Sequence, residues 1–381
     1  MAICFKSFVR WLLFVLEGEQ SKSRDVMSTD ASVNIADLDR RILTVLSLFE
    51  TGRRQEGSNE YTLPTGNRVK PTIEGIRSFL KDGNTIENQK MHASIERLQK
   101  NALVTRESDC YFLTDIGKTL GKKFKTERMS KGYDDLLSRT GKSKAYSMFC
   151  ERVFGKDLSQ FNVLDMEQLN TLIENLDLKP EETALDLGCG NGKITEYISD
   201  ATGAKITGLD FASEVIKTSQ QRTADKKNHL TYIVGNMDEL PFEEGSFDAI
   251  ISIDTLYFVE NIEATVKKLK KLLKSLTGRL AIFYDQSINS DQSKDILLPE
   301  NTTVGKALRN SDMTYQTLDF TANSRLIWIR EIEATEELKD LFIKEGNTDI
   351  YEDRAKDAKQ TLESIETGRQ VRYFYLAKPK K

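Results

Sequence analysis

Residues 183–192 constrain the fold more than any other part of this chain. They read Thr-Ala-Leu-Asp-Leu-Gly-Cys-Gly-Asn-Gly, and the next stretch, 193–200, has the apolar spacing of a helix. We predict a short buried strand, a glycine loop and a helix, in that order. Glycines let a backbone turn tightly and approach a ligand with no Cβ in the way. The segment therefore predicts an α/β fold, a doubly wound sheet with a ligand site outside the carboxyl ends of its strands.

The spacing of the three glycines separates one kind of nucleotide site from another. A dinucleotide site has the pattern G-x-G-x-x-G. Here Gly188, Gly190 and Gly192 alternate, so the third glycine comes one residue early and Lys193 stands in its usual place. Asp186 lies two residues before the first glycine, and its carboxylate would repel a pyrophosphate but suit an ammonium–sulfonium ligand. The pattern therefore disfavours a dinucleotide such as NAD.

These residues and the elements after them resemble the class I S-adenosylmethionine-dependent methyltransferases. The resemblance rests on the glycine loop and on four further predicted strands, 205–210, 230–234, 249–253 and 279–284. It covers about residues 145–285, and two strands near the end of the chain, 315–321 and 371–377, fit the antiparallel pair of that family. The resemblance implies a Rossmann-like seven-stranded sheet, S-adenosylmethionine as the cofactor and methyl transfer as the activity.

The same resemblance implies which residues bind the cofactor. Asp210, at the end of the second strand, would hold the two ribose hydroxyls, because a carboxylate can accept both hydrogen bonds. Asp238 would contact the adenine amino group, and Met237 would pack on the ring. The full predicted set is Asp186, Gly188, Gly190, Gly192, Asp210, Phe211, Met237, Asp238 and Ile253.

Three side chains are predicted to act at the transferred methyl group. Asp254 and Tyr257 follow the fourth strand, and Tyr146 comes from the segment ahead of the first strand. Methyl transfer from a sulfonium is an in-line displacement, in which the protein mainly aligns the reactants and excludes water. A general base is needed only where the acceptor loses a proton, so this role stays open. Further candidates for such a base are Glu151, Tyr284 and Asp285.

Missing motifs narrow the methyl acceptor. The fourth strand continues as Asp-Thr-Leu-Tyr at 254–257 rather than as Asp/Asn-Pro-Pro-aromatic, which disfavours amino methylation of adenine, cytosine or glutamine. The chain has no Pro-Cys pair, which disfavours cytosine-5 methylation. No histidine follows His229, so the histidine base of many plant-type O-methyltransferases is absent. We predict a small-molecule metabolite as the acceptor, and whether O, N, C or S is methylated stays open.

Residues 34–130 are predicted to form a separate, mostly helical domain. Helical periodicity over 35–49, 73–80 and 86–100 is followed by a β-hairpin at 103–113, and this order resembles a winged helix-turn-helix. In that interpretation 86–100 is the recognition helix. Its groove-facing residues would be Gln89, Lys90, His92, Ser94 and Arg97. The same helix also carries the acidic residues Glu87 and Glu96, which favour dimerisation or a lid role over reading DNA. We therefore expect a homodimer.

The charge distribution supports a competing hypothesis for this domain. Residues 28–150 carry a net charge of +5 and residues 151–381 a net charge of −10. A basic front on an acidic body is typical of proteins with an anionic partner. The alternative function is therefore a nucleic-acid-binding methyltransferase, or a transcription regulator that senses S-adenosylmethionine through its winged helix.

The remaining segments complete the predicted organisation. Residues 1–33 form a tail whose apolar run, 8–16, contains Arg10; it is either a partner-docking helix or an extension before a start at Met27. Because no cleavage site follows the run, export is disfavoured and we expect a cytoplasmic protein. Residues 131–180 are predicted as a linker, 132–144, followed by cap helices that carry Tyr146, Phe149, Arg152 and Gln168.

Residues 181–381 are predicted as the methyltransferase domain, with a helical insertion at about 325–368 that acts as a lid or substrate wall. Four scattered cysteines without a C-x-x-C pair, together with only two histidines, disfavour a disulfide scaffold and a metal site. No apolar run approaches the roughly 20 residues of a membrane-spanning helix, so no membrane partner is expected.

Overall fold

The computed structural model describes residues 35–54, 58–63, 68–80, 86–275 and 277–380. Contacts divide the chain into two compact units, one that ends at Gly132 and one that runs from Tyr133 to Lys381. The predicted tail, 1–33, lies outside the described residues. Within the described ranges, no helix is long and apolar enough to cross a membrane.

The first unit, in its described part, consists of short helices, a small sheet and a β-hairpin. Its elements are α1 (Asp37–Phe49), β1 (Arg53–Arg54), β2 (Tyr61–Thr62), β3 (Arg68–Val69), α2 (Ile73–Arg77), α3 (Asn88–Lys100), β4 (Val104–Glu107), β5 (Cys110–Leu113) and the first turns of α4 (Asp115–Lys142). β1, β2 and β3 pair antiparallel, and β4 and β5 form the hairpin. Ile42, Leu46, Ile95 and Leu98 share one buried core, as their helical spacing predicts.

Helix α3 corresponds to the recognition helix of the winged-helix interpretation. Two of the five residues that this interpretation places on its groove-facing side, Ser94 and Arg97, are engaged within the unit itself. Ser94 is fully buried rather than groove-facing. Arg97 donates two hydrogen bonds to Asp39 of α1, at 2.6 and 3.1 Å, so its guanidinium is paired within the unit's own fold. The other three residues of the set, Gln89, Lys90 and His92, are exposed.

The second unit contains a seven-stranded sheet within the described residues. Its strands are β6 (Thr183–Leu187), β7 (Lys205–Asp210), β8 (Leu230–Val234), β9 (Ala249–Ile253), β10 (Arg279–Ser287), β11 (Met313–Asp319) and β12 (Gln370–Pro379). They lie in the order β11-β12-β10-β9-β6-β7-β8. β12 runs antiparallel to both of its neighbours, and all other pairs are parallel. The predicted Rossmann-like α/β sheet is confirmed.

The central strands β6, β9 and β10 are buried along almost their whole length. All five residues of β9 are buried, whereas the edge strands β8 and β11 alternate between buried and exposed. Parallel strands that helices cover on both faces need such continuous apolar runs. The helices of this unit are α5 (Lys144–Phe154), α6 (Met166–Leu176), α7 (Lys193–Thr202), α8 (Ser213–Arg222), α9 (Ile262–Leu272), α10 (Thr303–Asn310), α11 (Thr321–Lys344) and α12 (Thr348–Glu366).

Residues 132–144 are helical rather than the linker that their polar composition predicted. Helix α4 continues to Lys142, and Ser143 caps α5 by accepting a hydrogen bond from the backbone N–H of Tyr146 at 2.9 Å. Leu137 is buried with Ala212 and Val215, and Tyr133 packs against this group. A few apolar side chains at helical spacing were enough to anchor a stretch that is otherwise basic.

Helices α11 and α12 form a hairpin where the helical insertion was predicted. Helix α11 begins directly after β11, and α12 ends shortly before β12. Because β11 runs in the same direction as the parallel strands, the hairpin projects from the edge of the sheet where those strands end. The buried residues of its two helices include Ile327, Leu338, Phe342 and Ala358.

Candidate functional site

The candidate site lies at the carboxyl edge of the parallel strands. The loops after β6, β7, β8 and β9 all leave the sheet there, since the strands are parallel and adjacent. In open α/β sheets ligands bind in the crevice outside this edge. The predicted cofactor residues lie in these loops or at the strand ends, so the fold brings them to one edge.

The glycine loop between β6 and α7 has a backbone that only glycine adopts without strain. Gly188, Gly190 and Gly192 have φ values of +77°, +52° and +69°. A Cβ on Gly188 would lie 2.5 Å from Cγ2 of Thr255, and one on Gly192 would lie 2.4 Å from Cε1 of Tyr232. A Cβ on Gly190 would meet nothing closer than 3.9 Å. The outer glycines are therefore required by packing, whereas Gly190 faces open space suited to a close ligand.

Asp210 joins this loop to the end of β7. Its carboxylate accepts hydrogen bonds from the backbone N–H groups of Gly190 and Ala212, both at 2.9 Å. Burial raises its pKa above the ordinary value, and the two N–H donors oppose that rise. Each carboxylate oxygen can accept more than one hydrogen bond, so Asp210 keeps capacity for hydroxyl groups of a ligand.

Asp186 and Cys189 support the loop from within the fold. Asp186 is buried and accepts a hydrogen bond from the Thr195 hydroxyl at 2.5 Å. Burial raises the pKa of Asp186 to about 6. Burial likewise raises the pKa of the Cys189 thiol, which keeps the thiol protonated and unreactive at neutral pH. Direct cofactor contact by Asp186 stays a prediction, and its hydrogen bond links strand β6 to helix α7.

The loop after β8 places the predicted adenine-binding residues. Met237 is buried. The backbone N–H of Asp238 donates to the Asn236 side chain at 3.0 Å, and the Asp238 carboxylate accepts from the backbone N–H of Glu260 at 3.2 Å. This carboxylate is thereby oriented at the sheet edge, and its role toward adenine stays a prediction.

An aromatic cluster stands beside this edge, and most of it was not predicted. Tyr133 contacts the rings of Phe211, Phe258 and Phe161 edge to face, with centroids 5.3, 5.9 and 6.5 Å apart. Phe211 follows β7, Phe258 lies just beyond β9, and Phe161 belongs to the 155–165 loop. Edge-to-face contacts of this kind build a rigid apolar wall.

Asp254 is held by a buried arginine that the sequence analysis did not single out. Arg372 of β12 donates to both Asp254 oxygens, at 2.8 and 3.0 Å, and to Asp285 of β10 at 3.1 Å. The backbone N–H of Val163 also donates to Asp254, at 3.1 Å. Asp254 has a left-handed φ of +56°, a strained conformation that concentrates at functional sites. These bonds occupy both oxygens, which disfavours Asp254 as a proton acceptor.

Asp285 differs from Asp254 because one of its oxygens has no partner. Its Oδ2 is buried without a hydrogen bond among the described residues. Burial raises the pKa of Asp285 to about 6, while Arg372 opposes that rise and the Asp254 charge adds to it. Of the two carboxylates beside Arg372, Asp285 is therefore the one with an oxygen free to bind a ligand or take a proton.

The two predicted catalytic tyrosines are also accounted for by their contacts. The Tyr257 hydroxyl accepts from the backbone N–H of Asp285 at 2.5 Å, and its ring stacks on Tyr284 at 4.5 Å. Tyr146 is fully buried, donates to the Gln160 carbonyl at 2.9 Å and accepts from Arg354 at 2.6 Å. Burial raises the Tyr146 pKa. Both catalytic roles stay predictions, and for Tyr146 the contacts favour positioning of the 155–165 loop.

The 155–165 loop connects the cofactor side of the site to the helical hairpin. Arg354 of α12 donates to the Phe161 carbonyl at 3.1 Å. At the other side, the Asn191 side chain donates to the Ser159 carbonyl at 2.9 Å, and Lys193 donates to the Ser159 hydroxyl at 2.7 Å. The loop is thus bonded to the glycine loop, to Asp254 and to α12.

Sequence reasoning missed these partners for a physical reason. Arg354 lies in a helix with many other charged residues, and nothing local marks it as buried. For Arg372 one signal was available, because this arginine interrupts an otherwise apolar run at 371–375. Gln168, predicted as a cap residue, accepts a hydrogen bond from Arg372 at 2.7 Å, and its role toward a ligand stays a prediction. Among the described residues no group of His, Cys, Asp or Glu could hold a metal ion.

Comparison with known proteins agrees with this geometry. Residues 185–282 match the family model described as a methyltransferase domain. The chain is 24% identical over 257 residues to phosphoethanolamine N-methyltransferase 3 of Arabidopsis thaliana, covering 65% of this chain and 52% of that protein. It is 31% identical over 100 residues to 2-phytyl-1,4-naphtoquinone methyltransferase of Trichormus variabilis, covering 25% of this chain and 44% of that protein. The chain thus spans about half the length of the curated relatives it matches.

The fold is also similar to a solved structure with bound cofactor. Phosphoethanolamine N-methyltransferase 2 of Haemonchus contortus in complex with S-adenosyl-L-methionine superposes with a TM-score of 0.53 at 19% identity, covering 65% of this chain and 60% of that one. At this identity the likeness concerns the fold. Residues 185–282 thus match a methyltransferase domain, and the fold around them is similar to that of a methyltransferase with bound S-adenosyl-L-methionine.

Proposed function

We propose that this chain transfers a methyl group from S-adenosylmethionine to a small-molecule metabolite. The observation that carries the proposal is the convergence at one sheet edge of the glycine loop, Asp210 and the Asp254–Arg372–Asp285 group, with the helical hairpin projecting from the same edge. The relatives named above act, by their names, on phosphoethanolamine and on a naphthoquinone, which supports a small acceptor.

The residues at this edge suit the proposed cofactor. The open space at Gly190 admits a ligand close to the backbone, and Asp210 can accept hydrogen bonds from hydroxyl groups. Phe211 and Met237 offer apolar surface for a flat ring, and Asp238 offers an acceptor for an amino group. When bound, S-adenosylmethionine would supply a methyl group on a sulfonium, and the methyl–sulfur bond would break to release the neutral thioether S-adenosylhomocysteine.

This chain's own contribution is alignment and exclusion of water. Arg372 fixes the Asp254 carboxylate, and through Asp254 it holds the backbone of the 155–165 loop at Val163. The aromatic cluster of Tyr133, Phe161, Phe211 and Phe258 adds an apolar wall at the same edge. Where the acceptor must lose a proton, Asp285 is the proposed proton acceptor, since its Oδ2 is unpartnered and its pKa is raised to about 6.

Calorimetry tests the proposed cofactor and the role of Asp210. The full chain should bind S-adenosylmethionine or S-adenosylhomocysteine at one site, and NAD should not compete. Asp210→Asn should weaken this binding by about 1–3 kcal/mol, the cost of losing hydrogen bonds to a charged group. Asp200→Asn is the matched control. Asp200 lies on α7, is exposed and forms an ion pair with Lys226, and such surface pairs contribute little to stability. Binding of NAD without S-adenosylmethionine would reject the proposed function.

We also infer that the first unit is a winged-helix-like element that dimerises the protein. A hairpin, β4–β5, directly follows α3, and Arg97 of α3 is committed to Asp39, which leaves this helix with a mixed-sign surface. Light scattering on the full chain should give the mass of a dimer. A monomer that shifts duplex DNA at physiological salt, with an affinity that falls steeply as salt is added, would favour the nucleic-acid alternative.

A further inference from the structure

Buried polar atoms without partners are concentrated in the helical hairpin. Ser324 Oγ, Trp328 Nε1 and both carboxylate oxygens of Glu331 lack a hydrogen bond within the described residues, as do Arg354 Nε and Thr361 Oγ1. All five residues are at most 7% exposed. We call them the hairpin polar cluster. Buried polar groups are normally hydrogen-bonded, so a group of five left open indicates that something else satisfies them.

The spacing along each helix directs these residues to one place. Ser324, Trp328 and Glu331 are separated by four and three residues, so they share one face of α11. Arg354 and Thr361 are two turns apart on one face of α12. The two faces meet, because Arg354 Nη1 lies 3.5 Å from a Glu331 oxygen. This ion pair is long, and the shorter hydrogen bonds of Arg354 go to Tyr146, at 2.6 Å, and to Phe161, at 3.1 Å.

Two further unpartnered acceptors extend the cluster toward the sheet. They are Asp285 Oδ2, on β10, and Gln370 Oε1, at the start of β12. Helix α11 begins beside them, since the Thr321 hydroxyl accepts a hydrogen bond from the backbone N–H of Arg372 at 3.1 Å. Open polar atoms therefore run from the carboxyl edge of the sheet, where methyl transfer is proposed, into the hairpin.

The chemistry of the open atoms selects a ligand class. Glu331, Asp285 and Gln370 offer acceptor oxygens. The Trp328 N–H and the Arg354 Nε–H can only donate, and the Ser324 and Thr361 hydroxyls can donate or accept. A ligand that satisfies this set must bring several N–H or O–H donors. An anion such as phosphate would meet two carboxylates and is disfavoured.

We propose that the hairpin polar cluster is the acceptor subsite, and that it binds the hydrogen-bond-donating end of the methyl acceptor, an amine or a polyol. This rests on the proposed methyltransferase function. The acceptor lies between the hairpin and the strand ends, with its donor groups on Glu331. The indole N–H of Trp328 lies on the same face of α11 as Glu331 and is likewise unpartnered among the described residues.

Tryptophan fluorescence tests the subsite without any enzymatic assay. The chain has two tryptophans, Trp11 and Trp328, so Trp11→Phe leaves Trp328 as the only emitter. This variant is titrated with ethanolamine as the amine probe, glycerol as the polyol probe and inorganic phosphate as the anion probe, with and without S-adenosylhomocysteine. Trp328 emission should change saturably with ethanolamine or with glycerol. The probe that causes the change shows whether the ligand's donors are amine or hydroxyl groups. Phosphate should have no effect.

Substitutions in the same background locate the response. Glu331→Gln should weaken the active probe by roughly tenfold or more, since a hydrogen bond to a charged group contributes about 1.5–3 kcal/mol. Thr361→Val should weaken it several-fold. Glu336→Gln, the same change on the exposed side of α11, is the matched control and should leave the affinity unchanged. Binding of S-adenosylhomocysteine reports that each variant is folded.

The outcomes separate this inference from the proposed function. A saturable response to phosphate alone, no response to any probe, or equal affinities in Glu331→Gln, Thr361→Val and the control would overturn the subsite. If calorimetry finds no S-adenosylmethionine binding while Trp328 still responds to an amine or polyol through Glu331, the ligand subsite stands and the methyltransferase proposal fails.

Discussion

Two sides of the second unit satisfy their polar groups in different ways. The cofactor side comprises the loops after β6, β7 and β8, and the hairpin side comprises α11, α12 and the adjoining strands β10 and β12. On the cofactor side Asp210 and Asp186 accept hydrogen bonds from partners that are at most a few elements away in the chain. On the hairpin side Arg372 pairs with Asp254, and Arg354 pairs with Tyr146, across much longer stretches of sequence. Polar atoms are left open there, at Glu331, Trp328 and Asp285.

Under the proposed function, the two sides recognise different ligands. Both ligands exchange in every turnover, but backbone N–H groups and a few carboxylates on the cofactor side are already arranged. We propose that the groups on the hairpin side stay without protein partners because the acceptor supplies their hydrogen bonds. Preorganised donors and acceptors at fixed positions are how a protein aligns reactants. We therefore expect mutations to damage folding on both sides but ligand selectivity mainly on the hairpin side.

The largest expected effect is at Arg372. Arg372→Met should destabilise the chain by about 3–5 kcal/mol, because it leaves the buried Asp254 and Asp285 without their cation. Urea unfolding measures this change. Arg369→Met is the control on the neighbouring turn, where the side chain is one-third exposed and its ion pair with Glu363 is long at 3.7 Å; it should stay within about 0.5 kcal/mol of the parent. Equal effects of both changes would show that the buried group does not hold the hairpin side together.

The glycine loop should show a smaller loss. Gly192→Ala should cost about 2–4 kcal/mol, since the new Cβ overlaps the Tyr232 ring and the residue must keep a positive φ. Gly245→Ala separates these two causes: its φ is +73° but no atom lies within 4 Å, so only about 1–2 kcal/mol of conformational cost is expected. Unfolding free energies that agree for the two variants would mean that packing against Tyr232 does not fix the loop.

The smallest expected effect is a pH dependence that originates in Glu331. Burial raises the pKa of Glu331 from 4.5 to about 7, while Arg354 opposes that rise. The folded state therefore holds this proton more tightly than the unfolded state, and the stability contributed by the neutral acid is lost as pH rises from about 4.5 through 7. The unfolding free energy should decrease from pH 5 to pH 8 in the parent. In Glu331→Gln this decrease should be smaller by on the order of 1–2 kcal/mol. An unchanged slope would place Glu331 in contact with water or a stronger cation than Arg354.

The strands of the cofactor side were predicted with the bounds that the structure has. β7, β8 and β9 occur at 205–210, 230–234 and 249–253 because each is a short apolar run with a turn signal at its end. The hairpin insertion was also predicted, with its start placed a few residues late. The predicted linker at 132–144 was wrong, because a polar composition does not reveal the few apolar contacts that keep a helix in place.

The sequence by itself determined the doubly wound sheet, the glycine loop and the ligand class at its edge. These depend on local spacing: apolar periodicity, a positive-φ backbone that glycine supplies, and acids at strand ends. Only the tertiary structure decided that Asp254 is locked by Arg372, that Tyr146 is bonded to Arg354, and that Glu331 and Asp285 are open. Whether a charged side chain is buried, and what it meets there, depends on residues far away in the chain, 118 positions for Arg372 and Asp254 and 208 for Arg354 and Tyr146, so local patterns carry little of that information.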